Sequence, residues 1–176
     1  MNTHTIILAA GKGTRMNTNL PKVMQPLGGM SLIEHVISTA QEISKKITVV
    51  IGHQKNLLKE HLAEIDPIIE TVNQENQLGT AHAVKTASHL IQDDERVLIL
   101  YGDVPLISNK TIQSLLDSEN NCTLLSMILS DPTGYGRIVS NEENLALKII
   151  EQKDASEDER KIKEVFTGIL LIDGSL

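Results

Sequence analysis

The sequence predicts an α/β fold in which a mostly parallel sheet is flanked by helices. Three observations lead there. Short aliphatic runs alternate with stretches of helical periodicity through the first hundred residues, the pattern of strand–helix–strand units. The apolar residues are mainly Ile, Leu, Val and Ala, with Phe166, Tyr101 and Tyr135 as the aromatics, which suits strands buried on both faces. Glycines follow aliphatic runs directly, where the chain has to turn out of the sheet.

Taken in order, Thr5–Ala10 reads as a buried strand that stops at Gly11. Residues 11–30 hold four glycines, two prolines and the stretch Asn17-Thr18-Asn19, too much turn chemistry for a helix. Ser31 with Glu34 three residues on forms a capping box. Beyond it Leu32, Ile33, Val36, Ile37, Ala40 and Ile43 keep to one helical face. Ile47–Ile51 is the second strand, Leu57–Ile65 a short helix, and Pro67–Val72 a third strand. Leu78–Ile91 is an amphipathic helix with Ala81, Val84, Ala87 and Ile91 expected inward. Val97–Tyr101 is the fourth strand, ending at Gly102-Asp103, followed by a helix over Thr111–Leu116 and a strand from Cys122. After Asp131 shorter strands around Tyr135–Ser140 and Leu145–Glu151 precede a mixed-charge segment and a last strand, Val165–Ile172.

Composition narrows the function. The formal charge is -7, whereas a nucleic-acid backbone calls for a basic stripe, so nucleic acid is not the expected partner. Cys122 is the single cysteine, which excludes an internal disulfide and points to a reducing compartment. Placed at the head of a strand, it is expected to be a small buried hydrophobe. No apolar run approaches the roughly 20 residues that span a bilayer, and the N-terminus lacks a signal-peptide pattern. A cytoplasmic protein with no membrane partner is expected.

In a parallel sheet, ligands bind beyond the carboxyl ends of the strands. Gly11–Gly13 and Gly102-Asp103 both lie at such ends, so one cleft should include both. Two glycines at a strand end let the backbone approach a phosphate and leave its N–H groups free to donate. Lys12, Arg15 and Lys22 cluster around that turn and make it a candidate anion site. The dinucleotide fingerprint needs a third glycine where Met16 stands, and the Gly-Lys-Ser/Thr phosphate loop is absent. Asp103 reads two ways, as the cap of a turn or as an anchor for Mg²⁺, which favours one or two carboxylates with substrate phosphates and water. The six histidines show no metal-ligand spacing and are expected to pack or face solvent.

The run LAAGKGTRM followed by LPKVMQPLGG resembles the signature loop of sugar-phosphate nucleotidyltransferases. NQENQLGTAHAV (Asn73–Val84), YGDVPLI (Tyr101–Ile107), GYGRIV (Gly134–Val139) and EQKDA (Glu151–Ala155) follow in order. With them the chain resembles the uridyltransferase (pyrophosphorylase) domain of the bacterial bifunctional N-acetylglucosamine-1-phosphate uridyltransferase and glucosamine-1-phosphate acetyltransferase family. The resemblance implies a Rossmann-like fold of the nucleotide-diphospho-sugar transferase type. It also implies Mg²⁺-dependent uridylyl transfer from UTP to N-acetylglucosamine 1-phosphate, which feeds cell-wall precursor synthesis.

Carried over by residue, the resemblance puts Leu8, Ala9, Ala10 and Gly11 at the edge of the uridine pocket, with Gln74, Gly79 and Thr80 on the uracil from the facing side. Arg15 and Lys22 are the implied catalytic cations, on the triphosphate and sugar phosphate. Asp103 is the implied Mg²⁺ ligand, Tyr101 and Gly102 border the same site, and Gly136 and Glu151 contact the amino sugar. The chain departs from the family in two places. Phe166 stands where the family has a sugar-contacting Asn, so weaker sugar binding is expected. The family's second metal ligand, another Asn, falls beyond Leu176. The reading is therefore a single nucleotidyltransferase domain over 1–176 that is C-terminally incomplete, lacks the acetyltransferase β-helix, is not expected to trimerise, and is weakly active or inactive. Three other readings stand beside it: a nucleotidyltransferase for another base or sugar, a non-catalytic nucleotide binder, and, ranked last, a dinucleotide-dependent oxidoreductase.

Overall fold

A computed structural model describes residues 2–11, 13, 18 and 20–176. In chain order the strands and helices are β1 (Asn2–Leu8), β2 (Pro26–Leu27), β3 (Met30–Ser31), α1 (Leu32–Gln41), β4 (Lys46–Ile51), α2 (Lys55–Ile65), β5 (Glu70–Asn73), α3 (Thr80–Ala87), β6 (Glu95–Tyr101), α4 (Asn109–Leu116), β7 (Cys122–Ile128), β8 (Arg137–Ser140), β9 (Ala146–Ile150), α5 (Glu157–Arg160) and β10 (Glu164–Asp173). They divide between two compact units, one of Met1–Thr123 with Leu170–Leu176, the other of Leu124–Ile169.

The first unit carries strands in the order β5-β4-β1-β6-β10. β1 pairs in parallel with β4 and with β6, and β4 in parallel with β5. Only Leu170–Asp173 of β10 runs antiparallel, against β6. The mostly parallel α/β arrangement expected from the alternating runs is present. Ile6 and Leu8 of β1 join Val50, Val97 and Ile99 in one buried cluster covered by Ala83 and Ala87 of α3. The intervening residues Ile7, Val49, Leu98 and Leu100 are equally buried and, by the two-residue period of a strand, belong to the opposite face. Both faces of the sheet are thus covered.

The register decides where the cleft lies. Leu8 stands opposite Val50 and Tyr101, and Ile51 opposite Asn73, so β1, β4, β5 and β6 end on one edge. On that edge the Ala9 N–H donates to Val50 O at 2.9 Å, the Gly102 N–H to Leu8 O at 3.0 Å, and the Gln74 N–H to Ile51 O at 2.8 Å. The loops after the four strands therefore leave the sheet side by side.

The capping box at α1 is formed as expected. Ser31 accepts from the Glu34 N–H through its hydroxyl, and Glu34 accepts from the Ser31 N–H at 2.5 Å. The Ser31 N–H and hydroxyl hold the Glu34 carboxyl below the usual glutamate range. His4 is fully buried, with Nε2 2.8 Å from Thr48 Oγ1 and Nδ1 3.3 Å from Glu95. Burial, reinforced by the Lys46 charge and opposed by Glu95, lowers its pKa.

Three expectations need correction. Ala81 is exposed, and α3 buries Ala83 and Ala87 instead, with Val84 and Ile91 half-buried against the same core. The helix starts only at Thr80, and the cluster beneath it sets which face turns inward. Cys122 is exposed rather than buried, because it opens β7 at the strand's outer end after the polar run Glu119-Asn120-Asn121. The turn-rich segment before α1 holds a short helical turn over Lys22–Met24 and the hairpin β2–β3, where only loop was expected.

The second unit is antiparallel. β8 pairs with β9, and Arg137 of β8 stands opposite Val165 of β10. The Thr167 hydroxyl donates to Leu125 O at 2.7 Å, tying β10 to β7. No helix among the described residues is long and apolar enough to cross a membrane.

Candidate functional site

A cleft of about 450 Å³ opens at the carboxyl edge of the first unit's sheet. One wall is the turn after β1: Leu8, Ala9, Ala10, Gly11 and Gly13. Gly13 has φ +57°, and a Cβ there would lie 3.0 Å from Lys22 Cβ, so only glycine lets the turn close on that lysine. The opposite wall is Gln74, Gln77, Gly79, Thr80 and Ala83. Lys22, Val23, Tyr101 and Asp103 complete the lining, so the cleft brings Gly11, Gly13 and Asp103 together as expected. Gly102 borders it beneath, where a Cβ would meet Val23 at 3.1 Å.

Side-chain bonds hold the two walls in place. Gln77 reaches across and donates through Nε2 to Ala10 O at 2.8 Å. Gln74 is buried, and its Nε2 donates to Gly79 O at 3.1 Å and lies 3.0 Å from His82 Nδ1. The Tyr101 hydroxyl lies 3.4 Å from Thr80 Oγ1, a weak link between β6 and α3. Gln77, Val23 and Ala83 line the cleft without having been singled out, and His82 was expected only to pack or face solvent. A second glutamine three residues after Gln74, and a histidine in the first turn of the helix that Gly79 opens, were the available signals.

Lys22 Nζ lies 2.5 Å from Asp103 Oδ2, the two side chains being 45 % and 24 % exposed. Among the described residues the Asp103 carboxylate accepts no backbone N–H, so it does not act as a turn cap. The local turn is closed instead by the Val104 N–H on Tyr101 O at 3.1 Å. No group of three potential metal-ligating side chains forms among the described residues. One or two carboxylates with substrate oxygens and water are the donors Mg²⁺ accepts, and Asp103 is the carboxylate that lines this cleft. The Asp103 carboxylate faces the Lys22 ammonium in the cleft.

Lys12 and Arg15, the other cations of the first loop, lie outside the described residues. Gly136 and Glu151 belong to the second unit, where they sit against each other: a Cβ on Gly136 would be 3.6 Å from Glu151 Oε1. Phe166 is in the same unit and donates its N–H to Gly136 O at 2.9 Å. The side chain of Arg137 is buried there, donating to Tyr135 O and, at 2.6 Å, to Gln152 Oε1.

The MobA-like NTP transferase domain family matches residues 5–154. The chain belongs to that family. Among curated proteins it is similar to the bifunctional protein GlmU of Marinobacter nauticus, at 45% identity over 175 residues. That match takes in 98% of this chain and 38% of the relative, so the chain spans little more than a third of the relative's length. Among solved structures it is similar to a putative glucose-1-phosphate thymidylyltransferase from Bacillus anthracis, crystallised with sucrose. The TM-score is 0.76 at 19% identity, covering 98% of this chain and 72% of the other, and at that identity the likeness establishes the fold alone. An NTP transferase domain on a nucleotidyltransferase fold accounts for the cleft at the strand ends, and the dinucleotide-oxidoreductase reading falls away.

Proposed function

We propose that the chain transfers a uridylyl group from UTP to N-acetylglucosamine 1-phosphate, with Mg²⁺, releasing pyrophosphate and giving UDP-N-acetylglucosamine. The observation that carries the reading is the cleft itself. It sets a glycine turn with its cation opposite a buried carboxamide, leaving room for a nucleotide between them. The 45% identity with a bifunctional protein GlmU supports the choice of sugar and base.

Each residue then has a task. The backbone of Leu8–Gly11 forms one side of the uridine pocket, and Gln74, Gly79 and Thr80 face the base from the other. Lys22, with Arg15 of the same loop, holds phosphate oxygens. Gly136 and Glu151 take the amino sugar, and Phe166, standing where the family has an Asn, offers it no side-chain hydrogen bond. Asp103 holds Mg²⁺, which when bound supplies charge neutralisation on the triphosphate.

No general base is required, because a sugar 1-phosphate oxygen is already anionic near neutral pH. The difficulty is to bring two polyanions together and to stabilise charge on the α-phosphate and the departing pyrophosphate. Fixed cations and backbone N–H groups do this without reorganising during the reaction. The Gly13 turn sets the backbone and Cβ of Lys22, and Asp103 keeps its ammonium in the cleft.

Calorimetric titration with the four ribonucleoside triphosphates tests the base assignment. UTP is expected to bind tightest. Equal binding of all four, or a purine preferred, would contradict it.

A further inference from the structure

We propose that His82 is a positioning residue that sets base choice, by fixing which end of the Gln74 carboxamide meets the nucleotide. The inference rests on the uridine reading and adds to it a residue that touches neither base nor phosphate.

A carbonyl oxygen can only accept a hydrogen bond, so Gly79 O, 3.1 Å from the Gln74 carboxamide, must face the amide nitrogen. The same Nε2 lies 3.0 Å from His82 Nδ1. Because that nitrogen is the donor, Nδ1 has to accept, which requires the ring to be neutral with its proton on Nε2. Both hydrogens of the amide are then committed. Gln74 Oε1 has no hydrogen-bond donor among the described residues, and the residue is only 4% exposed. Since Gln74 lines the cleft, Oε1 is the acceptor it presents there.

An acceptor at this point discriminates by chemistry. Uracil and thymine carry an N3–H donor in the pairing edge of the ring, whereas cytosine carries a lone pair at N3. Oε1 therefore matches an imide base and opposes cytosine, an acceptor meeting an acceptor. Discrimination of this kind needs the repulsive element as much as the attractive one. Without the His82 acceptor, Gly79 O alone holds the amide, and rotation about the terminal side-chain torsion presents Nε2 to cytosine at lower cost.

The test compares UTP and CTP binding by calorimetry in the unaltered chain, in His82→Asn and in His82→Phe. Asparagine can place its Oδ1 near the position of Nδ1 and keep an acceptor, while phenylalanine keeps ring volume and removes it. The ratio of UTP to CTP affinity is expected to fall about tenfold in His82→Phe, the equivalent of one modest hydrogen bond, and to be retained in His82→Asn. A purely structural role would weaken both nucleotides alike and leave the ratio unchanged, which would overturn the proposal. ¹⁵N spectra of the histidine ring in the unaltered chain provide an independent reading: His82 is expected as the Nε2–H tautomer. A protonated Nδ1 would overturn the proposal whatever the variants do. If the unaltered chain binds UTP and CTP equally, the uridine reading fails and this inference fails with it.

Discussion

Asp103→Asn is expected to lower Mg²⁺-dependent turnover by about a hundredfold to a thousandfold, the loss typical when one preorganised electrostatic group is removed from a reacting centre. Asparagine keeps the shape and removes the charge. Two consequences are expected together. The metal loses the protein carboxylate of the donor set described above. Lys22, whose ammonium sits 2.5 Å from Asp103, loses its partner. Because both side chains are partly exposed, that ion pair contributes at most about 1 kcal/mol to folding, so the melting temperature should scarcely move. UTP binding measured without metal should change little, since the freed lysine can still reach a phosphate. Steady-state turnover and metal-free titration of the same variant separate these effects. Normal Mg²⁺-dependent turnover would reduce Asp103 to a partner for Lys22.

Gly52→Val is expected to damage the nucleotide site from behind. Gly52 follows β4, and a Cβ there would lie 2.9 Å from Ala10 Cβ and 3.0 Å from Ala10 O, closer than packing allows. Ala10 cannot withdraw freely, because its carbonyl accepts from His53 N and from Gln77 Nε2. Overpacking of this kind costs about 1–3 kcal/mol, and in a chain of this size each kcal/mol lowers the melting temperature by about 2–4 °C. The displaced turn should also weaken UTP binding by tenfold or more, equivalent to about 1.4 kcal/mol. Thermal unfolding and titration of the variant check both parts. An unchanged UTP affinity in a folded Gly52→Val chain would show that the position of Ala10 does not matter to the ligand.

The architecture was legible where burial repeats along the chain. β1, β4 and β6 are aliphatic because both faces of the sheet are covered, and their carboxyl ends, marked by Gly11, Gly52 and Gly102, locate the cleft. The Ser31–Glu34 box was legible because capping is local chemistry over four residues. What the sequence obscured depends on contacts between distant segments. The pairing of Lys22 with Asp103 joins residues 81 positions apart, and motif reading placed both at one site without placing them in contact. Gln77 and His82 carry no periodic signal, and their roles follow only from what Ala10 and Gln74 present to them. Ala81 misled because α3 is short and its inward face is set by the core it covers. The hairpin β2–β3 was missed because two-residue strands leave too little alternation to read. The contacts expected from Gly136 and Glu151 rest on family motifs alone, since neither residue type signals a ligand by itself.

Pyrophosphate release, followed with each of the four nucleoside triphosphates in the presence of N-acetylglucosamine 1-phosphate and Mg²⁺, tests the proposed reaction most directly. Release is expected with UTP well above the other three, and it should stop when either the sugar phosphate or the metal is withheld. Release that favours another triphosphate, or that proceeds without the sugar phosphate, would contradict uridylyl transfer as the function of this chain.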